Sequence, residues 1–503
     1  MRKLHNLLYL TAIVLTVGLF ATCSLEAPSV GHLAITIPYE MSSAEAVDST
    51  ARTITFTEGS APAVRLYVLL NGKLLNLSDD DTYYKQVELN THTVSLDLDP
   101  SSGYQVYAAL GTTDNEKWTP EYYGSTAESF TVSAGVYTEK TITVIPVNFD
   151  YTSANAVHVA ILDGTLWYTN GSKITDGTKT ISTDTTINSL SSGTWFSAGD
   201  TGFTDELWIN TDKGIYALQN DNIIPRFPGI NSKFASAITT NIDGDAGSLL
   251  ILYYGSDVGY AYSNDRSKDS VDSAWDSDSL SNFLDSEDGK DYKDLITDPG
   301  SFIKDAVFVI NGDDTYGLVA STLGTYLYNS TMQNKLMDNT EVWIKEQLQG
   351  DSAYAMVVYD NNGKSAQISS LALDSTTNPS WVYAGTNSGL YRAATNDLSS
   401  AKEAPSLDLI PSTSGKKIKE LAAYNYNGTS YAAYADSTGI VILKEEGESI
   451  TSTYSTYPFY AFTADPGNIT DLTFYESPDD GLYLAIACED GLTRIPLSTK
   501  LKS

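Results

Sequence analysis

The 503-residue chain has little of what usually carries enzyme chemistry. It holds two cysteines, Cys23 and Cys488, and four histidines. That supply excludes a disulfide scaffold and leaves no ligands for a zinc site of ordinary spacing. The strings HExxH, CxxC, GxSxG and GxxxxGK[ST] are absent, so neither a zincin, a serine-hydrolase elbow nor a phosphate loop is expected. Positive charge is scarce as well. Thirty Lys and Arg face 63 Asp and Glu, a formal charge of −33. Such a surface has no basic stripe to displace counterions from nucleic acid, and anionic lipid repels it. The longest apolar run, residues 7–20, stops short of the ~20 residues that a membrane span needs.

That run is informative in its place. It follows Arg2 and Lys3 and precedes Ala21-Thr22-Cys23, the layout of a secretory signal. The string Phe20-Ala21-Thr22-Cys23 resembles the lipobox of bacterial lipoproteins, in which the cysteine becomes the lipid-bearing first residue. The resemblance implies that residues 1–23 are removed or modified and that Cys23 is the lipid attachment site. The protein would then meet the membrane through the lipid anchor. Ser24 is not the Asp of inner-membrane retention, so the outer membrane of the cell envelope is the implied destination. The alternative is ordinary signal cleavage with Cys23 incidental. With Cys23 acylated, Cys488 is the lone thiol, and in the strand LYLAIACEDG it reads as a buried small hydrophobe.

After a tether over 24–30, short segments alternate apolar and polar residues: HLAITIP, RLYVLLNGKLLNL, TVSLDLDP, YQVYAALG and KTITVIPV. Period two with Gly, Pro, Asp and Ser between segments predicts strands. Asn71-Gly72 predicts a tight hairpin, because a type I′ turn needs positive φ at both central residues. Seven or eight such strands over 31–146 predict a β-sandwich of immunoglobulin-like or transthyretin-like architecture. Residues 147–156 read as a boundary.

From 157 to 500 one phrase recurs seven times: an apolar strand, a short turn with glycine, and a second strand. The turn glycines are Gly171, Gly214, Gly259, Gly324, Gly389, Gly439 and Gly491. A hairpin cannot bury both faces alone, so repetition at this period predicts four-stranded blades around an axis. The fold class is therefore all-β, a sandwich followed by a β-propeller. The hairpins number seven, and six or eight blades stay open. The strand HVAIL over 158–162 is the expected closure of the ring onto the last blade. Two repeats carry more. LALDSTTNPSWVYAGTNSGLYRA from Leu371 resembles repeats of bacterial Asp-box and sortilin-like propellers, and LWINTDKGIYAL from Leu207 is similar to repeats of regulator-type propellers. The phrase after Arg392, AATNDLSSAKE, lacks the S-x-D-x-G-x-T-W motif, so the resemblance implies a propeller without implying glycosidase chemistry.

Two stretches break the spacing. Residues 262–299 hold eleven acids against four bases and read as an acidic insertion, with a short amphipathic helix carrying Trp275, Leu280, Phe283 and Leu284. A second lapse begins at Thr331. Long insertions on a rigid scaffold are where recognition residues tend to sit, and a solvated loop without a partner is the alternative. Calcium is the only metal the pattern suggests, at Asn241, Asp243 and Asp245 of NIDGDAGS. Ala246 replaces the expected glycine and Leu252 the expected acid, so an Asx-rich turn is the competing reading. No cofactor, catalytic residue or metal ligand is assigned. The functional expectation is an exported, lipid-anchored binding or scaffold protein whose propeller loops recognise an envelope protein, peptide or glycan. A polysaccharide hydrolase or lyase with carboxylates converging at the channel is the alternative.

Overall fold

The computed structural model describes residues 30–499, apart from 42–51, 55–60, 78–83, 89–92, 198–202, 329–354, 357–367, 400–406, 459–468 and shorter stretches in loops. The signal segment, Cys23 and the second lapse after Thr331 lie outside the described residues. The chain divides into two compact units, 1–147 and 148–503.

The first unit is a β-sandwich. One sheet orders Tyr137–Thr141, Gly31–Thr36 and Thr93–Leu98; the other is built on Lys117–Ser125, Ser101–Asp114 and Ala61–Leu70. Alternation decides which side chains go inside. In Thr93–Leu98, Val94, Leu96 and Leu98 are buried while the residues between them are exposed. They join Leu33, Ile35, Val64, Leu66, Val68, Val106 and Leu110 in one apolar cluster between the sheets. The Asn71 hairpin forms with Leu70 opposite Lys73, and Asn71 takes φ 51°, the left-handed conformation that its turn requires. Gly31–Thr36, the first strand, pairs parallel with Tyr137–Thr141 near the end of the unit, so strands far apart in sequence lie side by side.

The second unit is a propeller of seven four-stranded blades. Blades 1 to 6 span residues 159–182, 187–228, 232–279, 303–356, 368–409 and 420–458, each an up-and-down meander. Blade 7 takes three strands from 469–499 and its outermost from Asp150–Thr152, which pairs antiparallel with Gly491–Thr499. The innermost strands neighbour one another in ring order, and the last returns to the first. Closure is thus made by a different segment from the one expected. Val159–Leu162 is the innermost strand of blade 1, and the latch lies in the segment read as a boundary. The reason is packing: Val159 and Ala160 are buried, whereas the latch sits at a blade's outer edge.

Each blade buries one face against the next. Trp208, Ile215 and Ala217 of blade 2 pack on Ile251, Tyr253 and Ala261 of blade 3; Tyr383 and Leu390 of blade 5 pack on Ala432, Tyr434 and Leu443 of blade 6. Gly193 has a reason to be glycine, since a Cβ there would lie 2.3 Å from the Trp208 ring. Blade 5's Asp374, fully buried, joins blades 5 and 6. It accepts the amides of Ser380 and Trp381 and the Ser430 hydroxyl. Among the described residues no helix is long and apolar enough to cross a membrane.

Candidate functional site

The inner strands all begin at one end of the ring, and the glycine turns between each blade's second and third strands lie at that same end. The four best-matched turns share a geometry. Gly214, Gly389, Gly439 and Gly491 take φ of 156°, 152°, 147° and 154°. Three residues before each stands a buried side chain that bonds the turn: Thr211 to the Gly214 carbonyl, Thr386 to that of Gly389, Cys488 to that of Gly491, while Asp436 accepts the Gly439 amide. These turns hold the inner strands in a common register.

That register places one residue of each inner strand at the same level. Opposite the residue preceding the anchor stand Ser189, Asp305, Ser370, Glu420 and Asp471, and in blade 3, where the second strand ends at Gly255, the matching residue is Phe234 opposite Tyr254. In blade 1 the equivalent is His158, whose carbonyl accepts the Thr169 amide. A bulge precedes five of the seven positions, between Ile187 and Ser189, Ser232 and Phe234, Ile303 and Asp305, Ile368 and Ser370, and Ile469 and Asp471. Bulges re-aim side chains, and here they recur around one mouth of the channel.

Three of these seven residues are carboxylates, and they are not equivalent. Asp305 accepts the Ala306 amide (2.8 Å) on Oδ1 and the Leu371 amide of blade 5 (2.6 Å) on Oδ2. Asp471 repeats the arrangement, accepting the Leu472 amide (2.8 Å) and the Val159 amide of blade 1 (3.1 Å). Tyr254, stacked on Phe234 at 5.3 Å, donates its hydroxyl to Asp305 Oδ1 over 3.4 Å. Glu420 accepts no hydrogen bond among the described residues. Burial raises all three carboxyls: Asp305 to about 6, Asp471 to about 7 and Glu420 to about 8. The Asp305 charge adds to the rise of Asp471, and Asp471 and Asp305 add to that of Glu420, with Lys419 opposing. His158, whose Nδ1 lies 3.9 Å from Asp471 Oδ2, is lowered to about 4 by burial. Carboxyls that hold protons near neutrality at a channel mouth could serve proton transfer or take a cationic group. Among the described residues no three of His, Cys, Asp and Glu come close enough to share a metal ion.

The acidic insertion divides in two. Asp276–Ser279 is the fourth strand of blade 3, and the helix that follows, Leu280–Asp285, carries Leu280, Phe283 and Leu284 but not Trp275. Leu280 and Leu284 are buried, and the helix is tied down by the Ser281 amide on Asp257 and the Asn282 amide on Ser279 Oγ. Trp275 is buried too, stacked on Trp195 of blade 2 at 5.5 Å. The loop before it is pinned where Trp195 Nε1 donates to the Lys268 carbonyl and Arg226 to that of Asp269. Arg226 in turn pairs with the buried Glu206, which also accepts Trp208 Nε1. What remains outside is a charged rim carrying Asp285 and Lys293, paired at 2.6 Å, and Lys268 and Asp272, paired at 2.7 Å.

Of the residues singled out by sequence, Asn241 and Asp245 lie in the strands of the first hairpin of blade 3, where Asn241 faces Ala246 and Ile242 faces Asp245; Asp243 is outside the described residues. Cys488 is fully buried. Sequence reasoning passed over Asp305, Glu420 and Asp471. The available signal was their offset, each 16 or 17 residues before the residue that stands three before its blade's turn glycine, which only the paired register makes visible.

No protein-family model matches the chain, and no curated protein matches it. Solved structures do. PorZ, a surface component of the type-IX secretion system of Porphyromonas gingivalis, is similar over 88% of this chain and 69% of its own, at 12% identity and a TM-score of 0.43. The β-propeller domain of Cps50 (Swd1) of Myceliophteria thermophila is similar over 70% of this chain and 99% of its own, at 11% identity and a TM-score of 0.42. Sqt1 of Saccharomyces cerevisiae is similar over 69% and 98%, at 9% identity and a TM-score of 0.37.

Proposed function

We propose that this chain is an exported binding or scaffold protein, held to the outer membrane by a lipid on Cys23, whose propeller recruits an envelope protein, peptide or glycan. The observation that carries the reading is the rim on blades 2 and 3. A scaffold that only had to close a ring would need the strand Asp276–Ser279 but not the loop before it or the helix and loop after it, up to Phe302. Here that segment is clamped from below by Trp275 on Trp195 and by two carbonyl bonds, and presents paired charges outward. An ordered, charged loop on a rigid blade is the usual form of a recognition surface. The sandwich then serves as a spacer between anchor and propeller.

The test is site-specific photocrosslinking in intact cells. A crosslinking side chain at Asp285 or Lys293 is expected to capture a discrete adduct, while one at Lys173, on blade 1, captures none. Equal capture at both places, or none at either, sinks the reading. Replacing Cys23 by alanine is expected to move the protein from the membrane fraction to the soluble one; unchanged fractionation removes the anchor from the proposal.

A second reading, a polysaccharide hydrolase or lyase, is favoured by the carboxyls at the channel mouth. Glu420 is the one among them free of amide donors, hence the candidate general acid. If that reading holds, Glu420→Gln abolishes release of reducing or unsaturated ends from an envelope polysaccharide, and the crosslinks at Asp285 are unaffected.

A further inference from the structure

The ring closes through the latch Asp150–Thr152 at the outer edge of blade 7, and at the inner strands the Asp471 side chain joins the last blade to the first. Asp471, at its level on the last inner strand, accepts the amide of Val159 on the first, from 312 residues away in sequence. Asp305 does the same between blades 4 and 5 through Leu371. In both, the donor sits one residue past the level position of the next blade, Val159 after His158 and Leu371 after Ser370. By that rule the donor for Glu420 is Leu472, but the Leu472 amide already donates to Asp471 Oδ1. Glu420 is therefore a carboxyl in the channel wall that accepts no hydrogen bond among the described residues, beside the carboxylate that clasps the seam.

We propose that Asp305, Glu420 and Asp471 form a proton-dependent clasp, in which a neutral Glu420 lets Asp471 hold the last blade to the first and an ionised Glu420 loosens that seam. The groups facing it are few. From blade 7 comes Asp471, from blade 4 Asp305, from blade 3 the Tyr254 hydroxyl and from blade 1 His158. Lys419 precedes Glu420 and is the cation that opposes its rise; Lys416 is 3.8 Å from Asp436 of the adjoining strand. One cation against three carboxyls leaves the seam short of positive charge.

The direction follows from linkage. A carboxyl raised in the folded state binds more protons there than in the unfolded chain, so its contribution is fully present below its ordinary value and is lost as pH rises through the folded value. For Glu420 that loss runs up to about 8, for Asp471 to about 7 and for Asp305 to about 6. His158 is lowered, and its contribution is lost as pH falls towards about 4. Above pH ~6.5, the ordinary value of histidine, the His158 contribution is more than half present and changes less and less with pH.

The experiment is thermal unfolding and amide hydrogen exchange of the full chain between pH 6.5 and 9. The wild-type midpoint is expected to fall by several degrees, with Val159 and Leu371, corrected for intrinsic rate, losing protection roughly threefold relative to Ile209. Glu420→Gln, permanently neutral, should flatten both. Lys419→Met, at an exposed position whose change does not threaten the fold, should shift the fall to higher pH. A wild-type midpoint that does not fall, or variants that fall in parallel with wild type, overturns the proposal. Should Glu420→Gln fail to fold, an unshifted Lys419→Met curve overturns it alone.

Discussion

At the scale of single residues, the propeller repeats a device that its glycines only advertise. In four blades the residue three before the turn glycine is buried and bonds back into the turn, and it is Thr in blades 2 and 5, Asp in blade 6 and Cys in blade 7. Thr386 serves twice, donating to the Gly389 carbonyl and accepting the Ser388 amide. Cys488 donates its thiol to the Gly491 carbonyl at 2.8 Å. The lone buried thiol is then a turn anchor in a position that prefers a hydroxyl. Thr386→Val, which keeps shape and removes the hydroxyl, is expected to cost about 1–3 kcal/mol, the price of leaving buried polar groups unpaired. Cys488→Thr restores the commoner residue and is expected to change stability by less than about 1 kcal/mol in either direction. Denaturant unfolding of the two variants compares them directly. A Cys488→Thr protein as damaged as Thr386→Val would mean that the sulfur is packed and not bonded.

At the scale of elements, the latch carries the most weight for its size. Three residues, Asp150–Thr152, complete the last blade, and Ala156 donates its amide to the Cys488 carbonyl just after them. A chain begun at residue 154 keeps every inner strand yet exposes the edge of Gly491–Thr499, and an exposed edge invites pairing with other chains. Such a chain is expected to unfold at a lower temperature and to self-associate in size-exclusion chromatography; a monomer of full stability would show the latch to be dispensable. The latch also marks where the sequence stops being legible. Blade strands announce themselves because their apolar residues fill two faces of a buried layer: LWINT and WVYAGT are as clear in the sequence as in the fold. Val159–Leu162 was equally visible as a strand, but a strand's address in a ring depends on long-range pairing that no local pattern encodes. Asp150–Thr152 is too short and too polar to stand out at all. The fourth strand of blade 3, Asp276–Ser279, is hidden for a similar reason: DSDS has no apolar face because it lies at the rim of its blade. The channel carboxyls were invisible because acids abound in this chain, and only register singles out three of them.

At the scale of the whole molecule the question is what the formal charge of −33 does to a closed ring. Acids outnumber bases in the chain, and on the described surface they form exposed pairs such as Lys179 with Asp221 and Lys268 with Asp272. Exposed pairs of this kind contribute little each, so the excess is not neutralised locally and acts as diffuse self-repulsion. Diffuse repulsion is screened once the Debye length falls below the spacing of the charges, from ~30 Å at 0.01 M salt to ~3 Å at 1 M. Raising sodium chloride across that range is therefore expected to increase the unfolding temperature. The channel carboxyls are set apart from this effect, because they sit in the wall of the ring and answer to protons. The surface charge answers to screening and so supplies salt dependence, while the channel carboxyls supply the pH dependence. The two terms separate in one variant. Glu420→Gln removes one charge of the excess and should keep the wild-type response to salt while losing most of its response to pH. A variant that loses both together would show that a single seam, and not the acidic surface, sets the electrostatics of the whole propeller.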